Sequence, residues 1–112
     1  MKKIEAVIQP FRLEAVKEAL ECAGFDGMTV TEVRGQGRQR GHGEVYRGQE
    51  YDAELLPKTK LELVVPDGDC EDVIAVIRGA ARTGRMGDGK IFVYRVPEAI
   101  RIRNDQRNEA AL

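Results

Sequence analysis

The segment Thr83–Lys90 reads TGRMGDGK, with glycines at 84, 87 and 89 and a lysine at its end. Glycines let a backbone turn sharply enough for its N–H groups to converge on an anion, and Lys90 adds a positive charge. Gly84, Gly89 and Lys90 also satisfy the G-x-x-x-x-G-K spacing of a Walker A loop. That loop next needs Ser or Thr for magnesium, and here Ile91 follows. The context is reversed too, because a helical pattern enters the loop and a strand pattern leaves it. A P-loop ATPase fold is therefore excluded, and two readings remain: an anion cradle, or an ordinary glycine-rich turn.

Two other stretches bear on that choice. In AIRIRN, Arg101 and Arg103 point the same way if the segment is extended. Two guanidinium forks on one face suit a polyphosphate, although alone they read as a solvated charged edge. The third stretch is GQGRQRG, residues 35–41. Three glycine- or arginine-rich segments able to hold phosphate favour a nucleotide over three unrelated loops.

These segments are carried by a small chain. Its 112 residues imply one domain that buries about two-thirds of its unfolded surface. Charged residues make up 33% of it, 18 basic against 19 acidic, without the basic excess usual in proteins that coat nucleic acid. No apolar run approaches the roughly 20 residues of a membrane-spanning helix. Two cysteines, Cys22 and Cys70, and no apolar leader segment lead us to expect a cytoplasmic protein. His42 and the two cysteines do not make a zinc ligand set.

The elements that must position the loops follow from periodicity. Ile4, Ala6 and Ile8 alternate with Glu5, Val7 and Gln9 as in a strand that Pro10 ends. Leu13, Val16, Ala19, Leu20 and Ala23 recur at helical spacing, and Gly24 is placed to stop that helix. Residues 28–34 alternate again and are rich in Thr and Val. The pattern then repeats: a strand over residues 60–65, a helix capped by Asp67 or Asp69 with a stripe of Val73, Ile74, Ile77, Ala80 and Ala81, and a strand over 91–96. Two β-α-β units predict an α+β, ferredoxin-like sandwich, one antiparallel sheet backed by two helices. Its uncovered sheet face is expected to carry Val7, Thr29, Thr31 and Val64 among Glu5 and Glu62, half apolar and suited to self-association. Phe92 and Tyr94 share one face of the last strand and are expected in the core. Residues 35–57 fall outside this plan, as does the TGRMGDGK loop. A connection of that length inside a compact domain is either functional or a tolerated insertion.

The stretches GMTVTEVRGQGRQRGH, EVYRGQEY, LPKTKLELVVPD, RTGRMGDGKIFV and IRIR resemble the PII nitrogen-signalling proteins. The match runs without apparent gap from Met1 to about Arg103. The resemblance implies a single PII-like domain over residues 1–112, assembled as a homotrimer with a nucleotide site between subunits. It implies a T-loop over about 36–55, a phosphate-binding B-loop over about 82–90 and a C-terminal segment over about 98–112. ATP or ADP would be held by Gly37, Arg38, Gly87, Asp88, Gly89 and Lys90, with Arg101 and Arg103 reaching across from the neighbour. Thr29, Glu62 and Val64 would line the adenosine end, Glu62 accepting ribose hydroxyls. With ATP bound, Mg²⁺ and 2-oxoglutarate would follow, Gln39 as metal ligand, Gln39, Arg40 and Gly41 around the oxoglutarate, and Lys58 on its distal carboxylate. A neutral amide oxygen is a suitable hard ligand for Mg²⁺. Tyr51 is the position that some members have uridylylated or adenylylated by a nucleotidylyltransferase, and it also reads as an aromatic anchor for a partner. Implied partners are an ammonium channel, which would recruit the protein to the membrane, a sensor kinase, a glutamine-synthetase-modifying enzyme or an arginine-pathway kinase.

Some positions depart from the family pattern. Gln36 replaces a residue that is often aromatic or apolar, Gly43 one that is usually a small side chain, and Gln49 removes a seryl phosphorylation site. After Arg103 the chain reads NDQ in place of the commoner Thr-Gly-Glu, and the charged tail from Asn104 is expected to be mobile. Three function classes compete for these residues. A non-enzymatic sensor fits all of the segments. A small ATPase or phosphoryl-transfer enzyme lacks the Walker hydroxyl and an oriented base, His42 standing alone. An RNA-binding ferredoxin-like domain would display stacking aromatics on its open sheet face.

Overall fold

The computed structural model describes residues 1–37, 45–46, 49–50 and 55–112. Six strands and two main helices appear among them. β1 (Lys2–Ile8) leads through a short 3₁₀ turn to α1 (Leu13–Cys22) and then β2 (Thr29–Gly35). A two-residue ladder, β3 (Val45–Tyr46) with β4 (Gln49–Glu50), precedes β5 (Leu56–Val65). α2 (Cys70–Ala81) and β6 (Lys90–Arg95) complete the plan. The four long strands form an antiparallel sheet in the order β2-β5-β1-β6. Each β-α-β unit therefore leaves a gap that a strand of the other unit fills, which is the ferredoxin-like arrangement expected from the sequence.

Alternation decides what the sheet buries. In β1, Ile4, Ala6 and Ile8 face the helices, opposite Leu63, Leu61 and Thr59 of β5. Val16 and Leu20 of α1 and Val73, Ile77 and Ala81 of α2 close over them. Ile4, Val16, Leu61, Val73 and Ile77 are fully buried, and each such side chain stabilises the fold by about 1.5–3 kcal/mol. α1 ends at Gly24, φ +87°, where the Phe25 N–H donates to the Leu20 carbonyl and the Gly24 N–H to that of Glu21. This pair of bonds is the Schellman stop that the glycine predicts.

Four expectations change. β5 begins at Leu56 instead of residue 60, because β2 extends beyond β1 and pairs with residues 56–58. Pro57 is tolerated there since β1 has already ended at Ile8 opposite Thr59, so no neighbour on that side requires its N–H. Neither Asp67 nor Asp69 caps α2 through its side chain. Asp67 instead lies 3.0 Å from the Met1 ammonium, whose hydrogen bond and charge lower its pKa. Phe92 and Tyr94 are not in the core. They pair with Glu5 and Lys3 on the open face, each 45% exposed, because β6 is the outermost strand and their parity turns them away from the helices.

The tail is the fourth change. It folds back on itself: Ile100 bridges Arg107, the Asn108 N–H donates to the Ala99 carbonyl at 2.7 Å, and residues 101–106 form a tight turn. Arg101 and Arg103 accordingly do not lie on an extended strand. Asp105, at the place of the family's commoner glycine, has φ +59°. Asp tolerates this left-handed conformation better than most residues with a Cβ.

Candidate functional site

The open face of the sheet is not uncovered along its whole length. Lys58, Lys60, Glu62 and Val64 share a parity on β5, and the last three remain half-buried, whereas Lys58 is only 9% exposed. The loop between α2 and β6 lies over that end of the sheet, and the Lys58 ammonium donates to the Gly87 carbonyl at 2.9 Å. Burial lowers the Lys58 pKa, and the nearby Asp88 carboxylate opposes that shift.

The loop's shape has two causes. Gly89 has φ +101°, and a Cβ there would stand 1.7 Å from the Val7 carbonyl oxygen, so only glycine admits this close approach to β1. Asp88 supplies the other. Its carboxylate accepts the N–H groups of Thr83 and Gly84, each at 2.8 Å, and the Thr83 hydroxyl, while the Arg85 N–H donates to that same hydroxyl at 3.2 Å. The Thr83 hydroxyl bond leads the causes that depress the Asp88 pKa. The first half of the loop is thus folded around its own carboxylate, and the Gly84 N–H is spent internally. An anion would meet the second half, Gly87 to Lys90.

Between this loop and the ends of β1, β2 and β5 lies a cleft of about 620 Å³. Gly37, Lys58, Gly87, Asp88, Gly89 and Lys90, six of the residues singled out in the sequence, line it together. Sequence reasoning missed Arg85, which adds a third cation to Lys58 and Lys90, and the apolar wall of Val7, Leu56, Met86 and Phe92. It also missed Thr83, whose hydroxyl organises the loop; its place at the start of the glycine-rich stretch was the available signal. Gln36, noted as a departure, lines the cleft as well.

The remaining residues are placed elsewhere. Thr29 and Glu62 are direct partners across β2 and β5, with Val64 two residues further along the open face. At about 3.3 Å per residue, Glu62 is some 13 Å along the strand from Lys58. Glu62 is already engaged by Lys60 at 3.7 Å, which also approaches Glu5 at 3.6 Å. Tyr94 donates its hydroxyl to Glu5 at 2.8 Å, lowering the Glu5 pKa and raising its own. These carboxylates, and not a lack of aromatics, are what oppose a phosphodiester chain on this face. Arg101 and Arg103 lie on the tail turn and do not line the cleft. Arg38, Gln39, Arg40, Gly41 and Tyr51 lie outside the described residues, as does His42. Among the described residues no cluster of His, Cys, Asp and Glu could hold a metal, and no helix is long and apolar enough to cross a membrane.

The cleft suits an elongated anion with an apolar end. Its lining combines three cations and a glycine-bearing backbone with the apolar surface of Val7, Leu56, Met86 and Phe92, and with Asp88. The chain is similar to known proteins over most or all of its length. The sequence fits the family model described as Nitrogen regulatory protein P-II over residues 1–106. It is 58% identical, over the whole of both chains, to the nitrogen regulatory protein P-II of Haemophilus influenzae and to that of Rhodospirillum rubrum. It is 54% identical to nitrogen regulatory protein P-II 1 of Escherichia coli, again over the full length of both. All three relatives carry the names of regulatory proteins and none that of an enzyme. On the sheet order, the glycine-rich loop seated on β1 and this full-length similarity, the chain belongs to the P-II family of nitrogen regulatory proteins.

Proposed function

We propose that this chain is a non-enzymatic sensor of ATP or ADP and of 2-oxoglutarate, acting on nitrogen-assimilation enzymes, transporters or transcription through the T-loop. The observation that carries the reading is the convergence of Lys58, Arg85 and Lys90 with the Gly87–Lys90 backbone in one cleft. Lys90 and the loop fit the phosphates of a nucleotide. Lys58, buried against the loop and bonded to Gly87, fits the distal carboxylate of oxoglutarate. That bond joins the two ligands through one peptide: an effector that draws on Lys58 also acts on the carbonyl beside the phosphate site.

The described residues fit these ligands without supplying a metal site of their own. Mg²⁺ would be held by phosphate and oxoglutarate oxygens and by Gln39, which lies on the T-loop. The metal contact and the partner-binding loop would then share one segment, so a ligand can bias the loop by its differential affinity for two loop states. Arg38 would join the phosphate contacts, and Arg40 and Gly41 the oxoglutarate contacts. Within one chain, Thr29, Glu62 and Val64 stand away from the cleft and Arg101 and Arg103 lie on the tail turn. A homotrimer, in which the adenosine end and the two arginines come from neighbouring chains, completes the site. Tyr51 is the candidate for nucleotidylylation. Ammonium channel, sensor kinase, glutamine-synthetase-modifying enzyme and arginine-pathway kinase are the candidate targets, met in the cytoplasm or at the membrane.

Titration of 2-oxoglutarate in the presence of ATP with Mg²⁺, of ADP, and of ATP with Mg²⁺ after Gln39→Ala tests the reading. Binding is expected only in the first case. Equal binding in all three would refute it.

A further inference from the structure

Arg101 is already occupied by its own chain. Its Nη1 donates to the Gln106 side-chain oxygen at 2.7 Å and its Nη2 to the Leu112 main-chain oxygen at 3.1 Å. These two nitrogens form the end-on fork of the guanidinium, the edge with which Arg takes two oxygens of one phosphate. The surrounding turn holds the acceptor in place. The Arg101 N–H donates to the Gln106 carbonyl at 2.8 Å and the Asp105 N–H to the Arg101 carbonyl at 2.9 Å. The Gln106 amide oxygen also accepts from Asn104 at 3.0 Å, and the Gln106 N–H donates back to the Asn104 side chain at 3.2 Å. Gln106 is therefore oriented before it meets Arg101.

We propose that the tail from Asn104 to Leu112 is a built-in competitor for the phosphate-binding fork of Arg101, Gln106 and the Leu112 oxygen standing where phosphate oxygens would stand. The inference rests on the reading of Arg101 as a nucleotide-phosphate ligand and adds a regulation of that site. The tail and a phosphate taken end-on cannot hold the same fork at once, so binding in that geometry requires the fork to leave Gln106 and Leu112. The acceptor at 106 is a neutral amide, and hydrogen bonds between charged partners are about twice as strong as neutral ones. A nucleotide phosphate therefore displaces the Gln106 amide from the fork, whereas a carboxylate at 106 would hold Arg101 more firmly.

The test is calorimetric titration of the full-length protein with ADP and with adenosine. Gln106→Ala is expected to tighten ADP binding about fivefold, the equivalent of one hydrogen bond, and Gln106→Glu to weaken it by at least as much. Adenosine, which carries no phosphate, is expected to bind all three proteins alike. Hydrogen exchange at the Asp105 and Asn108 amides should quicken when ADP is added to the wild type. Unchanged ADP affinity in both variants, or weakening in both, overturns the proposal. Arg101→Ala separates this from failure of the underlying reading: if it binds ADP as the wild type does, Arg101 is no phosphate ligand. If it loses affinity while the Gln106 variants are silent, the reading stands and the competition falls.

Discussion

Asp88 illustrates how a residue's type misleads until its partners are known. In the sequence it stands among the loop residues expected to hold a nucleotide, although its own charge is of the wrong sign for phosphate. In the structure that charge is turned onto Thr83 and Gly84 and shapes the loop from within. Thr83→Val keeps the volume of the side chain and removes the hydroxyl that links Asp88 to the Arg85 N–H. We expect ADP affinity to fall about fivefold, and hydrogen exchange in residues 83–89 to quicken, with little change in melting temperature. The pH dependence has a definite sign. The Asp88 pKa is lowered below the ordinary 3.8, so its contribution to loop order is complete above that value and is lost as pH falls through the lower, folded-state pKa. Exchange in the loop, followed from pH 6 downward at constant chemical exchange correction, should show this loss in the wild type and not in Asp88→Asn.

Among the elements, the loop is fixed to the sheet by a missing side chain. Gly89→Ala would drive a Cβ into the Val7 carbonyl of β1, backbone against backbone, and neither strand has a flexible atom to withdraw. A loss of more than about 2 kcal/mol is expected in denaturant unfolding, together with loss of the cleft and of ADP binding. Gly79 is the contrast. It sits exposed in α2 with open space where a methyl group would stand, so Gly79→Ala should raise stability by about 0.5–1 kcal/mol and leave binding unchanged. The elements themselves were legible in the sequence because each depends on local periodicity: the helix stripes of Val16 and Leu20 and of Val73 and Ile77 emerge as buried rows. The start of β5 was not. Lys58 and Thr59 are polar and lay outside the expected strand, and pairing with β2, for Thr59 also with β1, makes them part of it.

For the whole molecule, the open sheet face is the feature to explain. Phe92 and Tyr94 stand on it beside Val7 and Val64, with Lys3, Lys60, Glu5 and Glu62 between them. Lys3 lies 4.7 Å from the centre of the Tyr94 ring, so part of this charge is already balanced within the face. A surface of apolar groups separated by satisfied ion pairs suits contact with copies of itself. Sedimentation equilibrium is expected to give three times the 12.5 kDa chain mass, and Phe92→Glu, which sets a second carboxylate against Glu5, to give the single-chain mass. Wild-type protein at the single-chain mass would remove the trimer from the proposed site.

Local and periodic features could be read from the chain alone: the two β-α-β units, the helix stop at Gly24, the glycine-rich loop and the set of cations able to meet phosphate. These depend on neighbours a few residues apart, which a sequence displays directly. Features that depend on neighbours far apart in the chain were settled only by the fold. The register of β6 against β1 turned Phe92 and Tyr94 to the open face. The loop laid over the sheet end buried Lys58 against Gly87, 29 residues away. Nearer in the chain, but no less a matter of the fold, the folding back of the tail gave Arg101 to Gln106 and Leu112, where a strand would have left it free for a ligand.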